Sequence, residues 1–422
     1  MFIRIRKEKI FLWSFLIMII FLDSRYLPGG NIAVLVLLIN LIQNVHLSFP
    51  KGKMITVLVG YIGYILLTTI FHLSSNYDIS NSTMYFVEIS IIIVSCCAVL
   101  YKTDIGKLMK LIRNVGIILG TLGILEGVIK YPYLSYFLNI ECEIAYDPSG
   151  YRIVSIFGHP IITGVFFLFC WCALLIAPCK RHATNLIVQL IIVLAIALTR
   201  SRSIWLSFMV IICLLLSKKI VHYKNKIPRK IVLRIGQIIL LYFSLEVLTG
   251  FKMSRYIFQF FSSRIIGSLY AGKGAGNIIR IDTVLNSIEY WKKGNIEKLI
   301  FGMGKNYDKF FMQLYPVIKY ETVWTAAIDN QYFTTLHEAG VIGLIPIFMI
   351  LIIAIGRIIK ANYDNRIEVV SNVGIVGIYV SMYFYEGLNY MSVLVMLVVF
   401  ICLSDKYGRI KRINRGCIKC LN

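Results

Sequence analysis

The chain has 422 residues, of which 58% are hydrophobic and only 15% charged. A soluble domain carries about 45–50% apolar and about 25% charged residues, so a water-bathed globule is excluded for most of this chain. Lipid is the partner for its excess apolar surface. The net charge of +23 would suit nucleic acid in a soluble protein. Here Lys and Arg stand mostly in short loops between apolar runs, where they orient membrane helices, and no nucleic-acid partner is implied.

The N-terminus carries Arg4, Arg6, Lys7 and Lys9 and then turns apolar to Leu22. No small-x-small cleavage pattern follows, so an uncleaved first helix is expected. Apolar runs fall at about 10–22, 31–49, 54–73, 84–101, 111–130, 160–178, 184–199, 203–217, 231–249, 341–359, 368–385 and 390–404. At about 20 residues per span, this predicts an all-α, polytopic integral membrane helix bundle of about 12 transmembrane helices. The chain 1–422 is then one integral membrane domain, with a large extracytoplasmic loop, 250–340, between helices 9 and 10 and a basic cytoplasmic tail, 405–422.

Loop charge sets the orientation. With the N-terminus in the cytoplasm, the inner loops carry Lys51 and Lys53, Lys102 to Arg113, Lys180 and Arg181, Lys218 to Lys230, Arg357 to Arg366, and the basic tail from Lys406. The outer loop 74–83 has no basic residue. This asymmetry follows the positive-inside rule and places both termini in the cytoplasm. The expected location is the bacterial cytoplasmic (inner) membrane.

Most of the ten cysteines lie in apolar runs, where Cys behaves as a small hydrophobe, so no disulfide framework is expected. Cys417 and Cys420 form a lone C-x-x-C, two ligands short of a zinc site. Gly272, Gly274 and Gly276 read as a flexible loop rather than a dinucleotide fingerprint. No cofactor and no metal are expected.

Two outer segments, 131–159 and 250–340, are rich in aromatic, Gly and basic residues. They supply four elements with chemical potential. The first is Tyr151-Arg152 running to Gly158-His159-Pro160; the second is the turn Thr199-Arg200-Ser201-Arg202-Ser203. The third is Gly276-Asn277 with Arg280, followed by Phe301-Gly302 and Gly304. The fourth is Asp329-Asn330-Gln331-Tyr332, leading to His337-Glu338, Gly340 and Gly343. In this order, and with Gly123, Glu126 and Gly127 before them, they resemble the core of the O-antigen polymerase/ligase superfamily over roughly 115–360.

The resemblance implies transfer of a glycan from a polyprenyl pyrophosphate to a hydroxyl of another glycan at the outer face. Its substrates are then polyprenyl-pyrophosphate-linked glycans held among membrane lipid, and its partners a chain-length regulator and a flippase. The leaving pyrophosphate needs cations, and the planar fork of Arg binds phosphate oxygens bidentately. Arg152, Arg202 and Arg280 are the expected clamp. An acceptor hydroxyl needs a base. Family ligases carry His where this chain has Asp329, which favours polymerase over ligase and leaves a carboxylate as base.

Asp329, His337 and Glu338 are the acid–base candidates. If all three shared one helix, Asp329 and Glu338 would point about 180° apart, whereas Asp329 and His337 would differ by about 80° over about 12 Å. Asp329 also suits a helix N-cap, and His159 before Pro160 suits capping. Glu126 and Glu386, at or within apolar runs, are costly there and for that reason of functional interest. Arg at a helix end often reaches to headgroups, and the outer aromatics Tyr131, Tyr136, Trp291, Trp324 and Tyr332 suit an interfacial belt as well as sugar stacking. The alternatives are a ligase-type glycan transferase and a lipid-linked sugar flippase or transporter, although no similarity between halves marks a transporter.

Overall fold

The computed structural model describes residues 52–72, 79–138, 145–147, 150–222, 275–293, 295–319, 322–324 and 328–419, with positions 140 and 142. Of the expected spans, 10–22, 31–49 and 231–249 lie outside these residues, as does all of 250–274. The other nine apolar runs coincide with helices. They are α1 (Lys53–Phe71), α2 (Ile79–Lys102), α3 (Ile105–Ile129), then, beyond the one-turn helix α4 (Tyr133–Phe137), α5 (Pro160–Ile176), α6 (His182–Leu198) and α7 (Arg202–His222). After the segment α8 (Ala275–Lys292), α9 (Ile296–Phe301) and α10 (Tyr307–Leu314) come α11 (Gln331–Lys360), α12 (Arg366–Met382) and α13 (Met391–Lys419). Among the described residues, α1, α3, α7, α11 and the Met391–Gly408 part of α13 are long and apolar enough to cross a membrane, and α5 and α6 are shorter apolar helices. The stretch expected as a tail continues α13 as helix to Lys419.

In lipid, backbone polar groups must be satisfied within the segment, which is why these runs become helices. Burial then separates inner from outer members. α12 and α5 are buried on nearly every side, and α12 packs against α13, α7, α11 and α5. Small residues allow that closeness: a Cβ on Gly374 would meet the Phe400 ring at 2.6 Å. α1, α6 and α7 keep exposed Leu and Ile faces, as lipid-facing helices do.

One end of the bundle carries the basic loops. There the Asp405 carboxylate accepts from the backbone N–H of Ile55 (3.0 Å) at the start of α1 and pairs with Arg357 at 2.6 Å. Lys218 Nζ donates to the Ile359 carbonyl at 2.8 Å. The opposite end, the loop face, gathers the described residues of 130–159, 199–201, 295–330 and 383–390. It carries two antiparallel hairpins, β1 (Tyr146–Asp147) with β2 (Gly150–Tyr151), and β3 (Val317–Lys319) with β4 (Thr322–Trp324). It also holds a second apolar core of Tyr290, Trp291, Tyr307, Phe311, Met312 and Val317, separate from that of the bundle.

Candidate active site

The second core is docked onto the bundle by a break in α11. At Gly340 the backbone takes φ 64° and ψ −168°, so 331–339 and 341–360 are two helical pieces. The break frees the carbonyls of His337 and Glu338, which accept from Met303 N (3.0 Å) and Gly304 N (2.8 Å). A Cβ at Gly340 would stand 2.2 Å from the Ile300 carbonyl oxygen, so only glycine fits. The loop 302–306 is thereby pressed against α11.

That contact places Lys305. Its Nζ donates to Glu338 Oε1 at 2.7 Å and to Asn389 Oδ1 at 2.6 Å, and it stands 4.3 Å from the centre of the Tyr85 ring. Asn306 adds its backbone N–H to Glu338 Oε1 (2.9 Å) and its amide to Ser82 Oγ (3.0 Å). Burial pulls the Lys305 ammonium downward, but the charge of Glu338, the charge of Asp308 and the hydrogen bond to Glu338 together outweigh it and the net direction is up, so Lys305 stays protonated. Nearby, Asp308 is fully buried, and neither of its carboxylate oxygens has a hydrogen-bond partner. Burial, and then the charge of Glu386, push its carboxyl up to about 7.

Asp329 stands just before α11, not on it. Its φ is 50°, left-handed backbone that a non-glycine residue seldom adopts. The helical-wheel angles expected between Asp329 and Glu338 or His337 therefore do not apply. Nor is Asp329 the cap: Asn330 Oδ1 accepts from Tyr332 N (3.0 Å) and Phe333 N (3.3 Å). The turn is clasped by the 383–390 loop. Glu386 Oε1 accepts from Ile328 N (3.0 Å) and Thr334 Oγ1 (3.2 Å), its Oε2 accepts from Asn389 Nδ2 (2.7 Å), and Leu388 N donates to Gln331 Oε1 (2.7 Å). Burial raises the carboxyl of Glu386.

His337 and Glu338 point to different partners. The His337 ring lies within an aromatic cage, 4.1 Å from the Phe311 centroid and 5.0 Å from that of Trp291, with Tyr290 and Tyr307 alongside. Its Nε2 meets Ser287 Oγ at 2.9 Å, and its buried Nδ1 has no hydrogen-bond partner.

The arginine elements form a second cluster on the same face. Arg152, buried, donates from Nε to the Thr199 carbonyl at 3.3 Å, and Ile153 N bonds the Leu198 carbonyl at 3.2 Å. The 150–153 segment is thus fixed to the 199–201 turn, with Arg202 opening α7. A Cβ on Gly150 would collide with the Arg200 guanidinium. Glu126, at the end of α3, holds the neighbouring loop by accepting from Val154 N (2.8 Å), Ser155 N (3.0 Å) and Tyr151 Oη (3.0 Å). His159 caps α5, its Nδ1 accepting from Ile161 N at 3.2 Å. Burial and the charge of Arg152 lower His159 to about 3, so it is neutral. Its ring stands 5.8 Å from that of Tyr390, which joins the arginine cluster to the 383–390 loop that clasps Asp329. Arg280 falls in α8, and its side chain lies outside the described residues.

Residues 187–348 match the O-antigen ligase family. The match supports membership in the O-antigen ligase/polymerase superfamily, and with it a membrane glycan-processing enzyme acting on lipid-linked glycans. The match spans most of α6, then α7, the second core and the broken first half of α11, so the matched segment contains Arg202, Arg280, Asp329, His337 and Glu338, while Arg152 precedes it. No curated protein matches the chain.

Sequence reasoning left out Lys305, Asp308 and Asn389. The signal was present in Gly302-Met303-Gly304-Lys305-Asn306: a lysine directly after a Gly-x-Gly loop, with an aspartate three residues on.

Proposed function

We propose that the chain is a polysaccharide polymerase that joins polyprenyl-pyrophosphate-linked oligosaccharide repeat units at the outer face of the bacterial cytoplasmic membrane. The reading is supported above all by the position of Asp329. It is a carboxylate that stands just before the α11 cap Asn330, at the loop face that also carries Arg152 and Arg202. In this reading 250–340 is extracytoplasmic within a single membrane domain, and the basic loops are cytoplasmic.

The reaction needs one bond made and one broken. An acceptor hydroxyl oxygen attacks the anomeric carbon of the lipid-linked chain, and its proton passes to Asp329. The bond from that carbon to the pyrophosphate oxygen breaks, and the electron pair leaves on the polyprenyl pyrophosphate. Arg152, Arg202 and Arg280 neutralise the charge that develops there. Glu338 is committed to Lys305, and His337 to its aromatic cage, so both serve the scaffold of the site rather than proton transfer. A chain-length regulator and a flippase are the partners proposed for this activity in the cell.

The family description favours a second reading, a ligase that moves a finished glycan to a separate acceptor. The deciding experiment uses purified protein in lipid vesicles with polyprenyl-pyrophosphate-linked repeat units extracted from the native host, and products separated on a gel. A ladder of lengths is expected. Transfer only after a separate acceptor is added would replace polymerase by ligase, and movement of the lipid across the vesicle without transfer would replace both by a flippase.

A further inference from the structure

Glu386 lies in the turn between α12 and α13, 57 positions beyond Asp329 in the sequence, yet its side chain closes on the Asp329 turn. It is 7% exposed. Its Oε1 accepts from the residue before Asp329, Ile328 N at 3.0 Å, and from Thr334 Oγ1 on the first turn of α11 at 3.2 Å. Its Oε2 accepts from Asn389 Nδ2 at 2.7 Å, and Asn389 in turn accepts from Lys305 at 2.6 Å. Asn330 fixes the other side of the turn through the α11 cap. Between these two anchors Asp329 adopts φ 50°, a conformation that an isolated aspartate would leave at little cost. The surroundings have to hold it, and Glu386 makes the contact that does so from outside α11.

We propose that Glu386 is a positioning residue for Asp329, holding the 328–330 turn so that the Asp329 carboxylate is presented to the acceptor hydroxyl. The proposal rests on the reading of Asp329 as proton acceptor. It adds that the loop before α13, outside 187–348 in the sequence, completes the site. Three donors meet the Glu386 carboxylate, two on one oxygen and a third on the other. A misplacement of about 1 Å at a reacting group can cost about 100-fold in rate.

The test compares E386A, E386Q, D329N and the D329N/E386A double variant in vesicles, with the extracted lipid-linked repeat units as substrate. E386A is expected to lower kcat by about tenfold or more with little change in KM. E386Q, whose amide oxygen still accepts from Ile328 and Thr334, is expected to recover much of that loss. The double variant is expected to be no slower than D329N alone, since a turn without its carboxylate has nothing left to position. Wild-type kcat in E386A beside an inactive D329N would overturn the positioning role and leave Asp329 as base. Wild-type kcat in D329N would overturn the reading of Asp329 and the proposal with it. A loss from E386A that multiplies that of D329N would also overturn the proposal. If E386A fails to fold, T334V removes one donor to the same carboxylate oxygen: reduced kcat at unchanged KM supports the role, and unchanged kcat overturns it.

Discussion

Lys305 Nζ lies 2.7 Å from Glu338 Oε1, and the two side chains are 3% and 2% exposed. Removing one partner of a buried pair leaves an uncompensated charge, at a cost of about 3–5 kcal/mol. K305M is therefore expected to melt well below the wild type in detergent. K305M/E338Q is expected to recover part of the loss, because it leaves no orphaned carboxylate. A double variant as unstable as K305M would mean that Lys305 acts mainly through Asn389 and Tyr85.

Asp308 gives stability a defined pH dependence. Its carboxyl is raised from 3.8 to about 7 by burial first and by the charge of Glu386 second. Between those two values the folded state holds a proton that the unfolded state releases. The contribution is complete below pH 3.8 and is lost as pH rises toward 7. D308N removes this titration. The wild type is expected to lose more melting temperature than D308N between pH 5 and pH 8, and D308N to be the more stable of the two at pH 8. Parallel curves would show that Asp308 does not titrate in this window.

His337 is expected to be replaceable by Phe. The substitution keeps the ring stacking against Phe311 and Trp291 and loses one bond to Ser287, whose hydroxyl retains the Thr283 carbonyl at 2.8 Å. Turnover of H337F should stay close to wild type, at a stability cost of about 1 kcal/mol. A collapse of kcat in a well-folded H337F would return His337 to the chemistry.

The base and the clamp should separate kinetically. D329N is expected to lower kcat by about 10²–10⁴ while substrate binding is retained, since a general base contributes on that order. R152K and R280K keep the charge but lose the bidentate fork, and turnover is expected to fall by about 10²-fold with normal membrane insertion. Near-normal polymer from a well-expressed R280K would remove that residue from the clamp.

G340A tests the break in α11. The residue requires φ 64°, and the added Cβ would approach the Ile300 carbonyl to 2.2 Å. Backbone strain of this kind costs about 1–3 kcal/mol before the collision is counted. Loop 302–306 should detach from α11, seen as faster proteolysis in 275–324 while the helices of the bundle remain protected.

Several features of the fold were legible residue by residue. The apolar run beginning at Val341 marks the second piece of α11, because Gly340 ends the first. Pro160 after His159 signals the start of α5. The Asp329–Glu338 geometry was not legible. Helical angles assume one continuous helix from 329, and the left-handed turn at Asp329 lies before its start. Glu126 was conspicuous as a charge in an apolar run, but its role as acceptor for the 151–155 loop depends on backbone that returns to it from 25 or more residues away.

The sequence by itself determined nine of the expected helices among the described residues, because lipid forces each apolar run to satisfy its own backbone. The tertiary structure decided which charges meet. Lys305 finds Glu338, and Glu386 finds the turn of Asp329, only after α11, α12 and α13 pack together, since burying a charge is tolerable only where packing delivers its partner.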